Sequence, residues 1–501
     1  MELSDLRYQF ELHLTETILE YTADLVTRDA SVFNYRDLNL RHAVERSLYF
    51  AFLDLPAAFE AFCGDATSAD PMDRSPVYHE AELEILRRLK PLDRRPNWLL
   101  PKQSRIGAVR RIWRRTKGVA RNIWSSYFGQ TARADRYVRS NFDLNSRIFV
   151  HLIDPKFLRY LEPILQKVNQ GVMILVDSPP RFGTIALPKV TLRSIESATV
   201  RVPSHHQDFL SRNYKWMLES VDALTRVLTH SQPDRMLLVE GNSAQDEIVN
   251  QVCHQLKIAT ICLQQGWSPI MHVGFRNMNF DKMLVWGKGF SALFKPYNSG
   301  QKFIPVGNHL LSTTSENLND SRAGIAFLLQ GVAQFITSEV WVDFLELIVW
   351  TAKTYPSRSV IVREHPSHPL SGEERALLLQ CSNIEMMSAP QFSLKNVFGK
   401  SMISVAIFSS TILESISQGV VPIIYNPSTL FHYSPDITQW NAGVEVRSQL
   451  GFQSVLAKVV EDPQIREQFS IGMKEFSREF FEYLGDSAAD RIVDEIFLPL
   501  T

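Results

Sequence analysis

Residues 401–426 read SMISVAIFSSTILESISQGVVPIIYN and contain two apolar runs separated by a short helical stretch. The runs SMISVAIF and VVPIIY are rich in β-branched residues, which favours buried strands. The Ser-Ser-Thr sequence between them is typical of a helix N-terminus. A strand, a helix and a second strand in this order predict a right-handed crossover between two parallel strands.

The same alternation extends outward from this unit over most of the chain. Between residues 324 and 401 it predicts the strands IAFLLQG, RSVIVREHP and NIEMM. Before residue 290 it predicts the strands RIFVHLI, GVMILVD, RMLLVEG, IATICLQQG and KMLVWG. Helical patterns lie between these runs. The predicted fold class is therefore α/β, with two Rossmann-like, doubly wound domains that face a cleft.

Changes in composition mark the expected domain boundaries. Residues 307–323 are rich in Ser, Asn, Asp and Gly, as is typical of a segment that joins domains. We expect an α-helical N-terminal extension over 1–140, a first Rossmann-like domain over 141–310 and a second over 311–501, which includes C-terminal helices over 449–497.

Charge is distributed unevenly along a chain whose total charge is nearly zero. The 501 residues include 53 Lys and Arg and 54 Asp and Glu, so the net charge of −1 predicts no basic surface for nucleic acid. Residues 102–121 carry eight positive charges and no acid, which leaves −9 on the rest of the chain. Over 102–124 the apolar residues recur at helical spacing. This basic segment suits three surfaces: the protein's own body, an anionic membrane, or an acidic partner.

The sequence also indicates a compartment. The N-terminal residues lack the basic start and apolar run of a signal peptide, and no apolar run approaches the roughly 18 residues that cross a bilayer. The four cysteines stand far apart, as expected for reduced core residues. We therefore expect a cytoplasmic protein, peripheral at the inner face of the cytoplasmic membrane if the basic segment binds lipid.

Polar residues follow two predicted strands of the second domain. Glu364, His365 and Pro366 follow SVIVR, and Ser409 and Ser410 follow SVAIF. Ligands of open α/β sheets bind outside the carboxyl ends of strands, where helix N-termini attract anions. We expect the histidine and the serines to lie at consecutive strand positions and to bind one phosphate. The structural alternatives are a local turn at the histidine and a capping box formed by Thr411 with Glu414.

At these residues the chain resembles bacterial glycosyltransferases of the GT-B fold that use CMP-activated 3-deoxy-2-ulosonic acids, which include capsule and lipopolysaccharide Kdo transferases and sialyl- and polysialyltransferases. The resemblance covers roughly residues 145–480 and rests on REHP, on FSSTILESISQGVVPIIYN and, more weakly, on LQQGW and DKMLVWGKG. It implies that His365-Pro366 and Ser409-Ser410 hold the phosphate of a cytidine nucleotide. The residues beside these motifs are assigned to the same nucleotide site: Thr411, Glu414, Arg363 and Gly331.

The resemblance also implies a reaction. An acidic sugar, Kdo or a nonulosonic (sialic) acid, would move from its CMP donor to a cell-surface glycan, with the first domain on the acceptor side. A carboxylate of that domain would take the proton of the acceptor hydroxyl. Glu240 after RMLLV is the first candidate and Asp154 after FVHLI the second, although Asp154 also suits a helix N-cap. Asp177 after MILV is a further candidate that also suits a turn.

Two departures from the family concern the acceptor side. The chain has Gln265-Gly266 where relatives often have His-Gly, and Val239-Glu240-Gly241 where they have paired acids before Gly.

No D-x-D motif follows a strand, and the family works without a nucleotide-bound metal, so we expect an inverting, metal-independent enzyme with no cofactor besides its donor. Alternatives are a GT-B transferase that uses a UDP-sugar or CDP-glycerol, a UDP-sugar epimerase, and a non-catalytic scaffold in polysaccharide assembly.

Overall fold

The structure, a computed structural model, describes residues 3–64, 80–89, 127–142, 146–154, 157–177, 189–202, 208–268, 270–311, 322–332, 336–365, 368–388, 392–428, 430 and 432–498. Pro366 and the basic segment over 102–121 lie outside these ranges.

The first domain is built on a seven-stranded sheet in which every neighbouring pair is parallel. Its strands are β3 (Ile148–Leu152), β4 (Val172–Val176), β5 (Val190–Ser194), β6 (Arg235–Val239), β7 (Ala259–Leu263), β8 (Lys282–Val285) and β9 (Phe303–Pro305). The spatial order is β5-β4-β3-β6-β7-β8-β9, so the direction of winding reverses between β3 and β6. The central strands are buried along their whole length and, apart from His151 in β3, apolar, because both faces of the sheet are covered.

The second domain repeats this design with six parallel strands. They are β10 (Gly324–Leu328), β11 (Val360–Arg363), β12 (Ile384–Met387), β13 (Ser401–Ala406), β14 (Val421–Tyr425) and β15 (Val444–Val446). The order β12-β11-β10-β13-β14-β15 reverses between β10 and β13. Both sheets therefore have the doubly wound Rossmann order.

Helices connect the strands and form the extension. The extension contains α1 (Leu3–Arg28), α2 (Arg41–Leu53), α3 (Pro56–Cys63), α4 (Glu80–Arg88) and α5 (Tyr127–Asn141), with the small hairpin of β1 (Asn34–Tyr35) and β2 (Leu38–Asn39). The first domain contains α6 (Leu158–Leu165), α7 (Phe209–Asn213), α8 (Lys215–Ser231), α9 (Ala244–Gln255) and α10 (Lys288–Phe294). The second domain contains α11 (Ser338–Thr354), α12 (Gly372–Leu378), α13 (Leu394–Lys400) and α14 (Thr411–Ser417). The C-terminal helices are α15 (Gln449–Glu461), α16 (Pro463–Phe480) and α17 (Gly485–Phe497).

The N-terminal extension contacts both domains. Its α2 packs against α1 and against α9 of the first domain. Near the start of α1, the buried Asp5 carboxylate accepts hydrogen bonds from the Ser428 hydroxyl and, at 3.2 Å, from the backbone N–H of Leu430 in the second domain. Helices α1 and α2 of the extension are therefore packed into the body of the protein.

The C-terminal end of the chain returns to the first domain. The segment after α16 runs so close to Gly307 that a Cβ there would lie 2.2 Å from the carbonyl oxygen of Tyr483. The last helix, α17, packs against α6, and its Ile492 and Ile496 lie in the core of the first sheet. The predicted second domain over 311–501 thus includes a helix that belongs structurally to the first sheet.

The predicted fold class is confirmed by these two sheets and by the helical extension. Each strand predicted from an apolar run is present, but the short strands β5, β9 and β15 were not predicted. These strands are partly exposed or contain only three residues, so they lack a long apolar run. Among the described residues, no helix combines the length and apolarity needed to cross a membrane.

Candidate functional site

A cavity of about 510 Å³ lies between the carboxyl ends of the two sheets. The first domain and the linker contribute Tyr160, Glu240, Gln265, Gly266, Trp267, Trp286, Asn308, Leu310 and Leu311 to its lining. The second domain and the segment after α16 contribute Gln330, His365, Phe408, Ser409, Ser410, Leu413, Glu414, Tyr433 and Phe481. The cavity brings five of the predicted site residues together, although they come from different domains.

Glu240 stands at the point where the first sheet reverses its winding. It follows β6 directly and has a φ of 72°, a left-handed conformation that is uncommon for a residue other than glycine. Gly241 has the same φ, and a Cβ there would lie 2.5 Å from the Cys262 Sγ. Backbone conformations of this kind cluster at functional sites, where the surrounding structure enforces them. The carboxylate lies near Gly266, because its Oε1 is 3.8 Å from the position of a Cβ on that glycine.

His365 follows β11 and faces the cavity from the second domain. Its Nδ1 lies 3.2 Å from the Nδ1 of His368, within hydrogen-bond distance. Burial and the neighbouring His368 lower the pKa of His365, so the imidazole is neutral at physiological pH. Gly331 does not line the cavity but supports this turn, because a Cβ there would lie 2.8 Å from the Cβ of His368.

The strands that carry the histidine and the serines are not adjacent, so that part of the prediction is wrong. β10 lies between β11 and β13, and Gln330 follows β10 in the gap. The Gln330 Oε1 accepts a hydrogen bond of 2.6 Å from the backbone N–H of Phe408. The order of strands in the sheet differs from their order along the chain, because a doubly wound sheet places its first strand, here β10, in the middle.

Ser409 and Ser410 directly precede α14 at the reversal point of the second sheet. The Ser409 Oγ lies 2.6 Å from the Thr411 Oγ1 and accepts a 3.3 Å hydrogen bond from the Thr411 N–H. The helix starts at Thr411 with Ser410 as the N-cap, and that N-cap makes no side-chain hydrogen bond. The alternative capping box of Thr411 with Glu414 is therefore not formed. Both serines line the cavity, and Thr411 contacts Ser409 from outside the lining.

Glu414 lies at the buried side of the same cavity. Burial raises the pKa of its carboxyl to about 7, and the nearby Arg363 guanidinium partly offsets this rise. Arg363 itself does not line the cavity; its Nη1 donates to the backbone carbonyls of Ser388, at 2.9 Å, and Phe392. The site thus contains an acid that changes charge near neutral pH.

Aromatic residues complete the walls, and most of them were not predicted from the sequence. The Trp267 Nε1 donates a 2.6 Å hydrogen bond to the carbonyl of Ser434, which links the two domains beside the cavity. The Tyr433 hydroxyl donates to the carbonyl of Ser409 at 2.7 Å. Trp267 and Trp286 fall in the quoted motifs LQQGW and DKMLVWGKG, so a signal for them was present.

The remaining candidates lie elsewhere. Asp154 is not part of the cavity lining, and the N-cap position of α6 is occupied by Phe157. Asp177 instead pairs with His151, a fully buried histidine whose Nε2 is 3.0 Å from the Asp177 Oδ1 and whose Nδ1 is 3.2 Å from Asp246. Burial alone would lower the pKa of His151, but its hydrogen bonds to both carboxylates raise it to about 10. No sequence motif marks His151, because its partners are distant in the chain.

Within the described ranges, no group of three or more His, Cys, Asp or Glu side chains is arranged to hold a metal ion. The predicted roles of Pro366 and of residues 102–121 fall outside those ranges.

Neither a protein-family model nor a curated protein matches the chain. Among solved structures, it is similar to the UDP-GlcNAc 2-epimerase of Neisseria meningitidis bound to UDP-GlcNAc, with 15% identity and a TM-score of 0.47 over 70% of this chain and 98% of that chain. It is also similar to WaaG, a glycosyltransferase of lipopolysaccharide biosynthesis, with 11% identity and a TM-score of 0.42 over 70% of this chain and 100% of that chain. The calicheamicin glycosyltransferase CalG4 gives 11% identity and a TM-score of 0.43 over 70% and 97%. Likenesses this weak carry no inference about what the chain binds.

Proposed function

We propose that this protein is a cytoplasmic, inverting glycosyltransferase that moves an acidic sugar, Kdo or a nonulosonic acid, from a CMP-activated donor to a cell-surface glycan. The observation that carries the proposal is the cavity in which Glu240 of one domain lies with His365, Ser409 and Ser410 of the other. A transferase needs both halves of this arrangement, because the nucleotide and the acceptor must meet across one cleft.

The second-domain wall suits the phosphate of the donor. Two serine hydroxyls and a neutral histidine provide hydrogen-bond donors for a phosphate, and Glu414 lines the same cavity. The serines stand where the sheet reverses its winding, the usual place for a nucleotide in doubly wound folds. Glu414, which is half protonated near pH 7, can donate to or accept from a hydroxyl of the bound ligand.

The first-domain wall suits the acceptor. In the proposed step, the acceptor oxygen forms a bond to the anomeric carbon while the Glu240 carboxylate takes the hydroxyl proton. The bond between the anomeric carbon and the phosphate oxygen breaks, and CMP leaves with the electron pair. The Glu240 carboxylate lies beside Gly266, which has no side chain of its own to occupy the acceptor's space.

Calorimetric titration with CMP, UDP and CDP tests the donor site. We expect CMP to bind most tightly and binding to be lost in the double variant Ser409→Ala/Ser410→Ala and in His365→Ala. His432→Ala is the matched control, because His432 is exposed and outside the cavity. Preference for UDP would contradict the CMP donor, and the absence of nucleotide binding in the wild type would reject the transferase.

A transfer assay with CMP-Kdo and CMP-sialic acid tests the base. We expect Glu240→Gln to keep CMP binding and to lose transfer by about 10²- to 10⁴-fold. Asp154→Asn is the matched carboxylate control and should retain transfer within a few fold. Loss in Asp154→Asn but not in Glu240→Gln would reverse the assignment. Tight CMP binding with no transfer to any glycan would instead indicate a scaffold.

The proposal includes a peripheral membrane site at the basic segment, supported by its eight positive charges without an acid. Sedimentation with anionic liposomes should capture the protein, and neutral liposomes should not. Changing Arg110, Arg111, Arg114 and Arg115 to Gln should abolish capture, and unchanged capture would contradict a membrane role.

A further inference from the structure

We propose that Arg46, in the N-terminal extension, is a positioning residue of the candidate site. Arg46 lies on α2 and is fully buried, although an arginine is almost never buried without partners. Its Nη1 donates at 3.3 Å to the carbonyl oxygens of both Gly241 and Ser243 and lies 3.0 Å from the Glu247 Oε2. One guanidinium nitrogen thus holds the loop that carries Glu240.

This loop needs an external donor because of its backbone shape. Two consecutive residues with φ near 72° turn the chain sharply after β6. The carbonyls of Gly241 and Ser243 lie in the interior, where an unpaired carbonyl is unfavourable. Arg46 satisfies them from outside the Rossmann-like domain, and Ser243 then begins α9 with its Oγ accepting a 3.0 Å bond from the Asp246 N–H.

Stability alone does not account for Arg46. Its Nε and Nη2 have no hydrogen-bond partner among the described residues. A buried ion pair with unsatisfied donors adds little net stability, and apolar replacements of both members are often neutral or stabilising. An apolar pair in place of Arg46 and Glu247 could not donate hydrogen bonds to the loop carbonyls, whereas Arg46 does. The extension therefore completes the site of the first domain.

The double variant Arg46→Met/Glu247→Gln tests this role, because it removes both buried charges together. The matched control is Arg41→Met/Glu45→Gln, which removes a partly buried ion pair of 2.8 Å from the same helix but leaves the loop contacts of Arg46 in place. Hydrogen–deuterium exchange of a peptide covering 236–248 should be at least tenfold faster in the first double variant and unchanged in the control. This measurement requires no enzymatic activity.

The kinetic test rests on the proposed function. In the Arg46→Met/Glu247→Gln variant we expect kcat for sugar transfer to fall about 100-fold, because the base is displaced. The KM for the donor should stay within threefold, because the nucleotide half is intact. Arg46→Lys keeps a buried cation, so its kcat should lie between those of the wild type and of the double variant. If the double variant does not fold, the exchange and kinetic measurements are made on Arg46→Lys instead.

Equal losses of kcat in the control would overturn the proposal, and so would unchanged exchange at 236–248. If the wild type transfers from no nucleotide sugar, the proposed function fails while the exchange result still decides the role of Arg46.

Discussion

Replacing Gly241 by alanine should destabilise the protein by about 2 to 5 kcal/mol. The left-handed backbone, with a φ of 72°, disfavours a Cβ by roughly 1 to 2 kcal/mol. The new Cβ would also lie 2.5 Å from the Cys262 Sγ and 2.9 Å from the Phe280 Cζ, both in the buried core. Overpacking of this kind adds about 1 to 3 kcal/mol. Urea unfolding followed by tryptophan fluorescence measures the sum.

Two further variants separate the causes. Gly300→Ala is the control, because a Cβ there meets nothing within 4 Å, and it should change the free energy of unfolding by less than about 0.5 kcal/mol. The double variant Gly241→Ala/Cys262→Ala removes the closest contact, so a coupling of about 1 kcal/mol or more is expected between the two sites. Wild-type stability in Gly241→Ala would refute the left-handed loop, and with it the placement of Glu240.

Three other predictions concern charge and the cleft. The folded state holds a proton on His151 up to about pH 10, whereas the unfolded value is 6.5, so the free energy of unfolding should fall as pH rises between them. His151→Gln should flatten this slope in pH-dependent unfolding, and equal slopes would contradict the assignment. Because Glu414 ionises near pH 7 in the cavity, its negative charge should weaken CMP affinity on the order of tenfold between pH 6 and pH 8. In calorimetry, Glu414→Gln should abolish this part of the pH dependence. The part that comes from titration of the CMP phosphate should be the same in the variant and the wild type. Trp267→Phe removes the 2.6 Å hydrogen bond across the cleft and should lower the free energy of unfolding by about 0.5 to 1.5 kcal/mol. Trp350→Phe is the control, because Trp350 lies outside the cavity. Equal losses of stability in the two variants would argue against the cross-domain bond.

Much of the site could be predicted because its residues come directly after predicted strands in the sequence. In a parallel sheet all carboxyl ends lie at one edge, so Glu240, His365 and Ser409 could be selected from their positions after apolar runs. The same reasoning selected Asp154, which lies outside the cavity lining. A strand end specifies the edge of the sheet, but it does not specify which residues at that edge face the opposite domain.

The residues that were missed depend on contacts between distant parts of the chain. Arg46 lies 195 residues before the carbonyl of Gly241 that it holds, and His151 pairs with carboxylates 26 and 95 residues away. No periodicity or local motif records such pairs. The cross-domain bond from Trp267 is of the same kind, since its acceptor belongs to the second domain.

The amino-acid sequence by itself determined the strand and helix alternation, the two doubly wound domains and the polar residues that follow their strands. These features depend on local propensity and on the period of apolar residues, which a linear chain contains in full. Only the tertiary structure decided that Glu240 and the serines line one cavity, that α17 returns to the first sheet, and that the helical extension holds the loop of Glu240. The physical reason is that burial and hydrogen bonding in the core select partners by proximity in space, which the linear order of residues does not contain.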